Sequence, residues 1–230
     1  MLWHEVQDMT ENYPPPILTV DIVPLTIRDG RLCVLLAERP NEPFAGRLAL
    51  LGGYVHVDKD RALGDTARRV LRDKAGLDRL YVEQLSTFSG PQRDPRGWSA
   101  SVAYFSLTPL EAVEPALERS GIVLVDADKP QGLPFDHDAI LAAAVSRLRG
   151  KGAYSDLPAR FLGPSFTLAE LHRTYQVVLG ERINIDAFRR KVMERGFLEP
   201  TGEKRRDEGA TRPSELYRLT AQAAVFPRRF

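Results

Sequence analysis

The chain has 230 residues, 43% hydrophobic and 27% charged, with a formal net charge of +1, as in an ordinary globular protein of one large or two modest domains. It contains no run of about 18 uncharged apolar residues, and its first residues lack the charged start and apolar run of a signal peptide, so we expect a cytoplasmic protein. Cys33 is the only cysteine, which excludes an intramolecular disulfide and a cysteine-based metal site.

The N-terminal part of the chain is predicted to form a mixed sheet with flanking helices. The predicted strands and short apolar runs are residues 17–27, 31–38, 48–55, 80–88 and 99–107. The pair Asp29-Gly30 is a hairpin-turn signal between the first two strands, and a turn-rich stretch separates the last two. The predicted helices are residues 60–75, which Gly76 would end as a left-handed stop, and 138–149.

The segment Gly52–Leu77 resembles the Nudix box, whose pattern is G-x5-E-x7-R-E-U-x-E-E-x-G-U with U an aliphatic residue. Gly76 and Leu77 match the closing pair, Leu71 matches the preceding aliphatic position, and Arg69 matches the arginine. The spacing from Gly53 to this arginine is two residues longer than in the pattern. The segment is therefore interpreted as a degenerate Nudix box.

The three glutamates of that pattern are replaced by Val70, Asp73 and Lys74. These positions are three and four residues apart and share one helix face, which in an active Nudix enzyme presents carboxylates to divalent cations. Val70 supplies no oxygen, and Lys74 places an ammonium where the metal would bind. Nearby aspartates are more typical of turns and helix starts than of metal ligands: Asp58, Asp60 and Asp65.

We therefore expect a non-enzymatic domain with no metal, no cofactor and no catalytic residues. The alternative is a Nudix hydrolase that acts on ADP-ribose or a related nucleoside diphosphate, and that mechanism would need carboxylates at positions 70 and 74.

A cavity that lacks catalytic residues can still bind a ligand. Residues 89–104 resemble a segment of ADP-ribose-type Nudix proteins and of regulators derived from them, and they carry arginines and a tryptophan suited to phosphate contact and adenine stacking. The alternative is that residues 94–97 form a simple hairpin turn with solvated arginines. His137 is a further candidate cavity residue, and neither it nor His56 is expected to be catalytic. The predicted ligand-binding residues are Arg39, His56, Arg93, Arg96 and Trp98.

The C-terminal part differs in charge from the rest of the chain. Gly150, Gly152 and Pro158 predict a linker around residues 150–160, which would separate domains at 1–152 and 153–230. Residues 165–230 hold 13 Lys+Arg against 9 Asp+Glu, whereas residues 1–164 hold 19 against 22. A basic end on an acidic body suggests a polyanionic partner, although an ordinary solvated basic surface would give the same count.

Two helices are predicted at this basic end. Thr167 and Glu170 have capping-box spacing at the start of a helix that Gly180 would end. Asn184 can cap a second helix, which would run from residue 185 to 195 and stop at Gly196. The apolar residues of this second helix are expected to form one buried stripe: Ile185, Phe188, Val192 and Met193.

A helix, a short turn and a basic helix follow the helix-turn-helix plan, in which the second helix enters the major groove of DNA. Two strands, at 197–198 and 216–219, are predicted on either side of a polar, basic loop suited to a wing that contacts phosphates. The predicted DNA-binding residues are Thr167, Asn184, Arg189, Arg190, Lys191, Lys204, Arg205, Arg206 and Arg212.

These features together resemble the NrtR family, the Nudix-related regulators of NAD metabolism, over nearly the full length of the chain. Besides the degenerate box, the resemblance rests on residues 93–97, 135–137, 166–171, 188–191 and 212–217. It implies an α+β architecture in which a Nudix-fold mixed-sheet α/β/α sandwich precedes a C-terminal winged helix-turn-helix domain.

The resemblance also implies a homodimeric repressor of NAD biosynthesis or salvage genes. In this family a nucleotide such as ADP-ribose releases the protein from a partly palindromic operator, whereas related regulators sense other ligands, including sugars. A third possibility is a non-enzymatic interaction module with no DNA role, which would leave the basic residues of the second helix and the wing unexplained.

Overall fold

The computed structural model describes residues 15–129, 131–206 and 212–221. Its strands are Ile17–Arg28 (β1), Arg31–Glu38 (β2), Leu48–Ala49 (β3), Leu51–Tyr54 (β4), Tyr81–Asp94 (β5), Gly97–Leu107 (β6), Ile122–Asp126 (β7), Phe166–Thr167 (β8), Leu198–Arg205 (β9) and Ser214–Leu219 (β10). Its helices are Leu63–Ala75 (α1), Leu110–Leu117 (α2), His137–Gly152 (α3), Leu168–Leu179 (α4) and Ile185–Glu194 (α5), with a 3₁₀ helix at Leu157–Phe161. No helix among these residues is long and apolar enough to cross a membrane.

The larger sheet has seven strands and is mixed. Its central order is β3-β2-β1-β6-β5, while β4 also pairs with β1 and β7 with β2. Strand β1 runs parallel to β6 and antiparallel to β2. Asp29 and Gly30 join β1 to β2 and both have positive φ, as a two-residue hairpin of this twist requires.

Helices cover both faces of this sheet. On one face α3 packs against a cluster that includes Val23, Leu36 and Phe105, and on the other α1 packs against Val20 and Ile22. Alternating residues of β1 thus enter two separate cores, which explains why the strand is apolar on both sides. The predicted mixed-sheet α/β/α sandwich is confirmed.

Several element boundaries differ from the predicted ones. Helix α1 begins at Leu63 rather than near Asp60, because the Asp60 carboxylate accepts hydrogen bonds from the loop ahead of the helix and from the helix itself. The predicted turn-rich stretch between β5 and β6 is mostly strand, with a tight turn around Pro95. Helix α2 and strand β7 were not predicted; α2 is short and contains Pro115, so its helical pattern is weak.

The segment predicted as a linker is a packed junction rather than an open connector. Helix α3 continues to Gly152, and the following 3₁₀ helix buries Leu157 and Phe161 in the same core as α3. A Cβ atom at Gly152 would lie 3.2 Å from side-chain atoms of both Pro158 and Val178, so glycine allows α3 and α4 to approach closely. Glycine here marks close packing and not chain flexibility.

The C-terminal unit is a winged helix with its own core. Strands β8, β10 and β9 form a three-stranded sheet against which α4 and α5 pack, burying Phe166, Tyr175 and Phe188 among others. The predicted apolar stripe of α5 is wrong at both ends, because Ile185 is 40% exposed and Met193 is 51% exposed. Only the middle of this short helix faces the core, so its two ends remain in solvent.

Candidate functional site

A cavity of about 360 Å³ opens on the sandwich where β1, β4, α1 and the β5–β6 hairpin meet. Glycines make room for it. A Cβ atom at Gly52 would lie 2.0 Å from Asp21 Oδ1, and one at Gly53 would lie 3.0 Å from a methyl carbon of Val70. The two box glycines therefore let β4 pass close to β1 and to α1, which form the floor of the cavity.

A buried charge network lies behind this floor. Arg93 Nη2 donates to Asp21 Oδ2 at 2.9 Å, and Arg93 Nε donates to Asp136 Oδ2 at 3.0 Å. Arg93 Nη1 is 3.4 Å from Ser99 Oγ, and the arginine residue is only 9% exposed. The Arg93 guanidinium is thus occupied by groups of the protein itself, and its position in the cavity wall is fixed by them.

His137 joins the network from the first turn of α3. Its Nδ1 accepts a hydrogen bond from the Leu50 backbone N–H at 3.1 Å, and its Nε2 lies 3.6 Å from Asp21 Oδ1. Burial alone would raise the pKa of Asp21, but His137, Ser101 and Arg93 together hold that pKa well below its usual value. Asp21 is therefore a carboxylate at neutral pH.

The lowered pKa of Asp21 predicts an acid-dependent contribution to stability. Because the folded-state pKa lies below that of the unfolded chain, the contribution is fully present above about pH 4 and is lost as the pH falls through the folded-state value. We expect Asp21→Asn to reduce the free energy of unfolding at neutral pH and to reduce its decline in acid. Urea unfolding at a series of pH values would measure both effects, and an unchanged acid slope in the variant would contradict the assignment.

Arg96 and Arg39 form the outer wall of the cavity. Arg96 is exposed and donates to both oxygens of Asp94, at 2.9 and 2.6 Å, and its Nη1 donates to the Tyr54 hydroxyl. The hydrogen bonds from Arg96 lower the pKa of Asp94. Arg39 lies over the Phe135 ring at 4.8 Å, and its Nε donates to the Pro43 carbonyl at 2.8 Å.

The structure brings four of the five predicted ligand-binding residues to this cavity. Arg39, His56, Arg93 and Arg96 line it, whereas Trp98 lies in a separate shallow groove beside Pro16 and is 50% exposed. The acidic residue Asp21 was missed by the sequence analysis. Its signal was present, since a lone carboxylate in the middle of an otherwise apolar strand needs a buried partner.

The degenerate box helix presents its altered face to the cavity. Val70, Asp73 and Lys74 all line it, and Val70 is buried while Asp73 forms a 3.4 Å ion pair with Arg72. Arg69, the conforming arginine of the box, binds Asp60 through two hydrogen bonds of 2.9 and 2.6 Å. Among the described residues, no group of three or more His, Cys, Asp or Glu side chains could hold a metal ion.

The second candidate site is the surface formed by α5 and the wing. Arg189 and Arg190 are exposed on α5, and Lys191 is partly buried. Asn184 caps the helix by accepting hydrogen bonds from two backbone N–H groups at 3.1 and 3.0 Å. Thr167 is buried and caps α4, where its hydroxyl accepts from the Glu170 N–H at 3.2 Å. Both caps place helix N-termini, as their sequence positions predicted.

The wing is tied to the first helix of this unit. Arg205 on β9 forms a 2.5 Å ion pair with Glu170, whose other carboxylate oxygen accepts from the Thr167 N–H. The exposed basic residues of the wing are Lys204, Arg206 and Arg212. Residues 207–211, between Arg206 and Arg212 in the sequence, lie outside the described residues. A groove of about 410 Å³ between α5 and the wing is lined by Arg189, Ile185 and Pro213 among others.

Comparison with known proteins identifies what the two units of the chain are similar to. The family model of the NrtR DNA-binding winged helix domain matches residues 158–219. The chain is 36% identical over 219 residues to the ADPR responsive transcriptional repressor NtrR of Acinetobacter baylyi, which covers 94% of this chain and 87% of that protein.

Two solved structures extend the comparison. Shewanella oneidensis NrtR complexed with a 27mer DNA is 36% identical, with a TM-score of 0.86 over 93% of this chain and 99% of that one. The NUDIX domain of the same protein complexed with ADP ribose is 33% identical, with a TM-score of 0.54 over 64% of this chain and 99% of that one. The sandwich therefore has the Nudix fold, and the C-terminal unit is an NrtR-type winged helix.

Proposed function

The chain belongs to the NrtR family, and from this premise we propose that it is a transcriptional repressor that binds operator DNA through its winged helix and is released by ADP-ribose or a related nucleotide. Residues 1–152 would form the effector-sensing domain and residues 153–230 the DNA-binding domain. The proposal includes a homodimer on a partly palindromic operator near genes of NAD biosynthesis or salvage, since the two-fold symmetry of a dimer matches that of an operator.

The DNA-binding part of the proposal is supported by the arrangement of α5 and the wing. Arg189 and Arg190 are exposed on α5, which as a recognition helix would meet base edges, and Lys204 and Arg206 are exposed on the wing, which would meet the flanking DNA backbone. Arg205 is an exception, because its ion pair with Glu170 makes it a residue that positions the wing. The caps Thr167 and Asn184 place the helix N-termini and their backbone N–H groups.

The effector part is supported by the relatives and by the cavity. The A. baylyi relative is named as ADPR-responsive, and the S. oneidensis Nudix domain binds ADP ribose in its solved structure. In this chain the corresponding fold has a cavity with arginines on its outer wall, and Tyr54 and Phe135 supply ring faces beside Arg96 and Arg39.

Helix α3 supplies a physical connection between cavity and winged helix. At its start, the N-cap residue Asp136 and the first helical residue His137 belong to the charge network behind the cavity. At its other end, Arg149 Nε donates to the Val178 carbonyl of α4 at 3.2 Å and Arg149 Nη2 pairs with Asp128 at 2.7 Å. We propose that a ligand which displaces the charge network at the start of α3 changes how α4 packs against the end of α3.

The box helix supports a sensor without hydrolase activity. Val70 is a buried apolar residue and Lys74 is a cation, so Asp73 is the one carboxylate at these three positions, whereas a divalent metal needs several oxygen ligands. Purified protein with Mg²⁺ or Mn²⁺ is expected to leave ADP-ribose intact over hours, as followed by chromatography. Turnover of about 1 per second or faster would instead show a working hydrolase.

The observation that supports the proposal is that one chain combines a basic helix and wing with a Nudix cavity whose residues provide too few oxygen ligands for a divalent metal. A mobility-shift titration with DNA from upstream of candidate NAD genes, with and without ADP-ribose, tests it. We expect a retarded protein–DNA complex that dissociates when ADP-ribose is added. Equal binding to operator and unrelated DNA at physiological salt would contradict the repressor assignment.

A further inference from the structure

Two of the basic side chains that line the cavity form no ion pair with a carboxylate of the described residues. Among the described residues that line it, five carry a permanent positive charge, and three of these are paired within the protein. Arg69 is held by Asp60, Arg93 by Asp21 and Asp136, and Arg96 by Asp94. The remaining two are Arg39 and Lys74.

Arg39 and Lys74 have no carboxylate partner in the described part of the chain. The Arg39 guanidinium donates to the backbone carbonyls of Pro43 and Asn41 and lies over the Phe135 ring. Lys74 makes neither a hydrogen bond nor an ion pair with any described residue, although it lines the cavity. Two cations thus face one cavity without a direct hydrogen bond or ion pair to a carboxylate of the described residues, although four carboxylates also line it: Asp21, Glu42, Asp73 and Asp94.

The surroundings of Lys74 and Arg39 lower the pKa of both side chains. Desolvation lowers the pKa of Lys74; Asp21 raises it, and the positive charge of Arg39 lowers it again. Desolvation also lowers the pKa of Arg39, and the positive charge of Arg96 adds to that effect, while the carboxylates of Asp21 and Asp94 oppose it. A bound anion would offset both the desolvation and the mutual repulsion, because it would favour the charged form of each group.

A divalent cation does not fit the same place. The Lys74 ammonium lies on the helix face that would have to supply metal ligands, and Val70 offers only methyl groups. Asp73 alone on this face has a carboxylate, and it is paired with Arg72. Hard cations need several oxygen ligands, which these residues do not provide. The charge that a metal would bring to a diphosphate must come from the side chains.

We propose that the cavity binds the diphosphate of its effector without a divalent cation, with the Lys74 ammonium and the Arg39 guanidinium supplying the positive charge in the metal's place. This inference rests on the proposed effector role of the cavity and specifies how that role is performed. It extends to any compact diphosphate, whether part of a nucleotide or free pyrophosphate, because the two cations recognise charge and phosphate oxygens.

Calorimetric titration of the full chain with ADP-ribose, in EDTA and in Mg²⁺, measures the metal requirement directly. The dissociation constants in the two buffers are expected to agree within about twofold. Binding that appears only with Mg²⁺ would overturn the inference and leave the proposed regulator intact.

Substitutions at Lys74 separate its charge from its packing. In EDTA, Lys74→Ala should weaken binding by at least about tenfold, Lys74→Glu should weaken it further, and Lys74→Arg should retain most of it. Lys59→Ala is the matched control, because Lys59 is an exposed lysine of the preceding loop that does not line the cavity. Thermal unfolding of each variant checks that it is folded. Affinity unchanged in both Lys74→Ala and Lys74→Glu would overturn the inference.

Pyrophosphate as a second probe separates the anion site from the identity of the effector. Metal-free binding of pyrophosphate but not of ADP-ribose would support the Lys74–Arg39 site and contradict the nucleotide effector. Binding of neither probe, with or without Mg²⁺, would overturn both the inference and the proposed effector class.

Discussion

Replacement of both Arg189 and Arg190 by alanine should lower affinity for operator DNA by roughly two to four orders of magnitude. A base-contacting side chain of a recognition helix contributes about 1–3 kcal/mol, and two such contributions on one short helix add approximately. Both side chains are exposed on α5, whose buried residues are Phe188 and Val192, so the double variant should remain folded. Mobility-shift or anisotropy titrations against operator and random DNA would measure the decrease in affinity.

Substitution of the wing residues should have a different signature. Lys204→Ala and Arg206→Ala should weaken binding to operator and random DNA about equally. Each should also reduce the slope of log affinity against log salt concentration by about one for every phosphate that the lost side chain neutralised. Arg72→Ala, on the exposed face of α1 in the other domain, is the matched control and should change neither quantity. Operator affinity that survives the Arg189/Arg190 double substitution would exclude α5 as the recognition helix.

Arg93→Met should destabilise the Nudix domain by about 3–5 kcal/mol, because it would leave the buried Asp21 carboxylate and Asp136 without their shared cation. Methionine fills a similar volume, so the destabilisation would report the charge network and not a cavity. Chemical unfolding of the full chain at neutral pH, followed by circular dichroism, would measure it.

Arg96→Met is the matched comparison for this substitution. Both arginines lie in or beside the β5–β6 hairpin and both bind an aspartate, but the Arg96 side chain is 37% exposed. The partner Asp94 is buried at 2% side-chain exposure but keeps a hydrogen bond from the Arg96 backbone N–H, so Arg96→Met should destabilise the domain by less than Arg93→Met, about 1–3 kcal/mol, while it weakens the effector response. Equal destabilisation by the two substitutions would contradict the structural role assigned to Arg93.

Local features of the sequence were sufficient to predict many of the helix ends. Gly76 and Gly180 end α1 and α4 in the left-handed conformation, and Thr167 and Asn184 cap α4 and α5 as their positions in the sequence indicate. Each of these features depends on residues within one turn of helix, so it can be predicted without knowledge of the tertiary structure.

Features that depend on distant partners were not predictable. Arg93 was assigned to a phosphate by its residue type, whereas the structure pairs it with carboxylates 72 and 43 residues away. Such pairing depends on which strands become neighbours, information that periodicity does not contain. The exposure of Ile185 and Met193 is a similar case, because helical spacing shows which residues share a face but not how far the opposing core extends along it.

The most direct test of a repressor controlled by an inactive Nudix sensor is an anisotropy measurement on labelled operator DNA bound to the protein. The complex is titrated with ADP-ribose in Mg²⁺, which a Nudix hydrolase would need, while the ADP-ribose concentration is followed in the same sample. We predict that the anisotropy falls to the value of free DNA at saturating ADP-ribose and that the nucleotide is recovered intact. An anisotropy that is unaffected by ADP-ribose would contradict the sensor role of the cavity. A fall in anisotropy that reverses as the nucleotide is consumed would contradict a sensor without hydrolase activity.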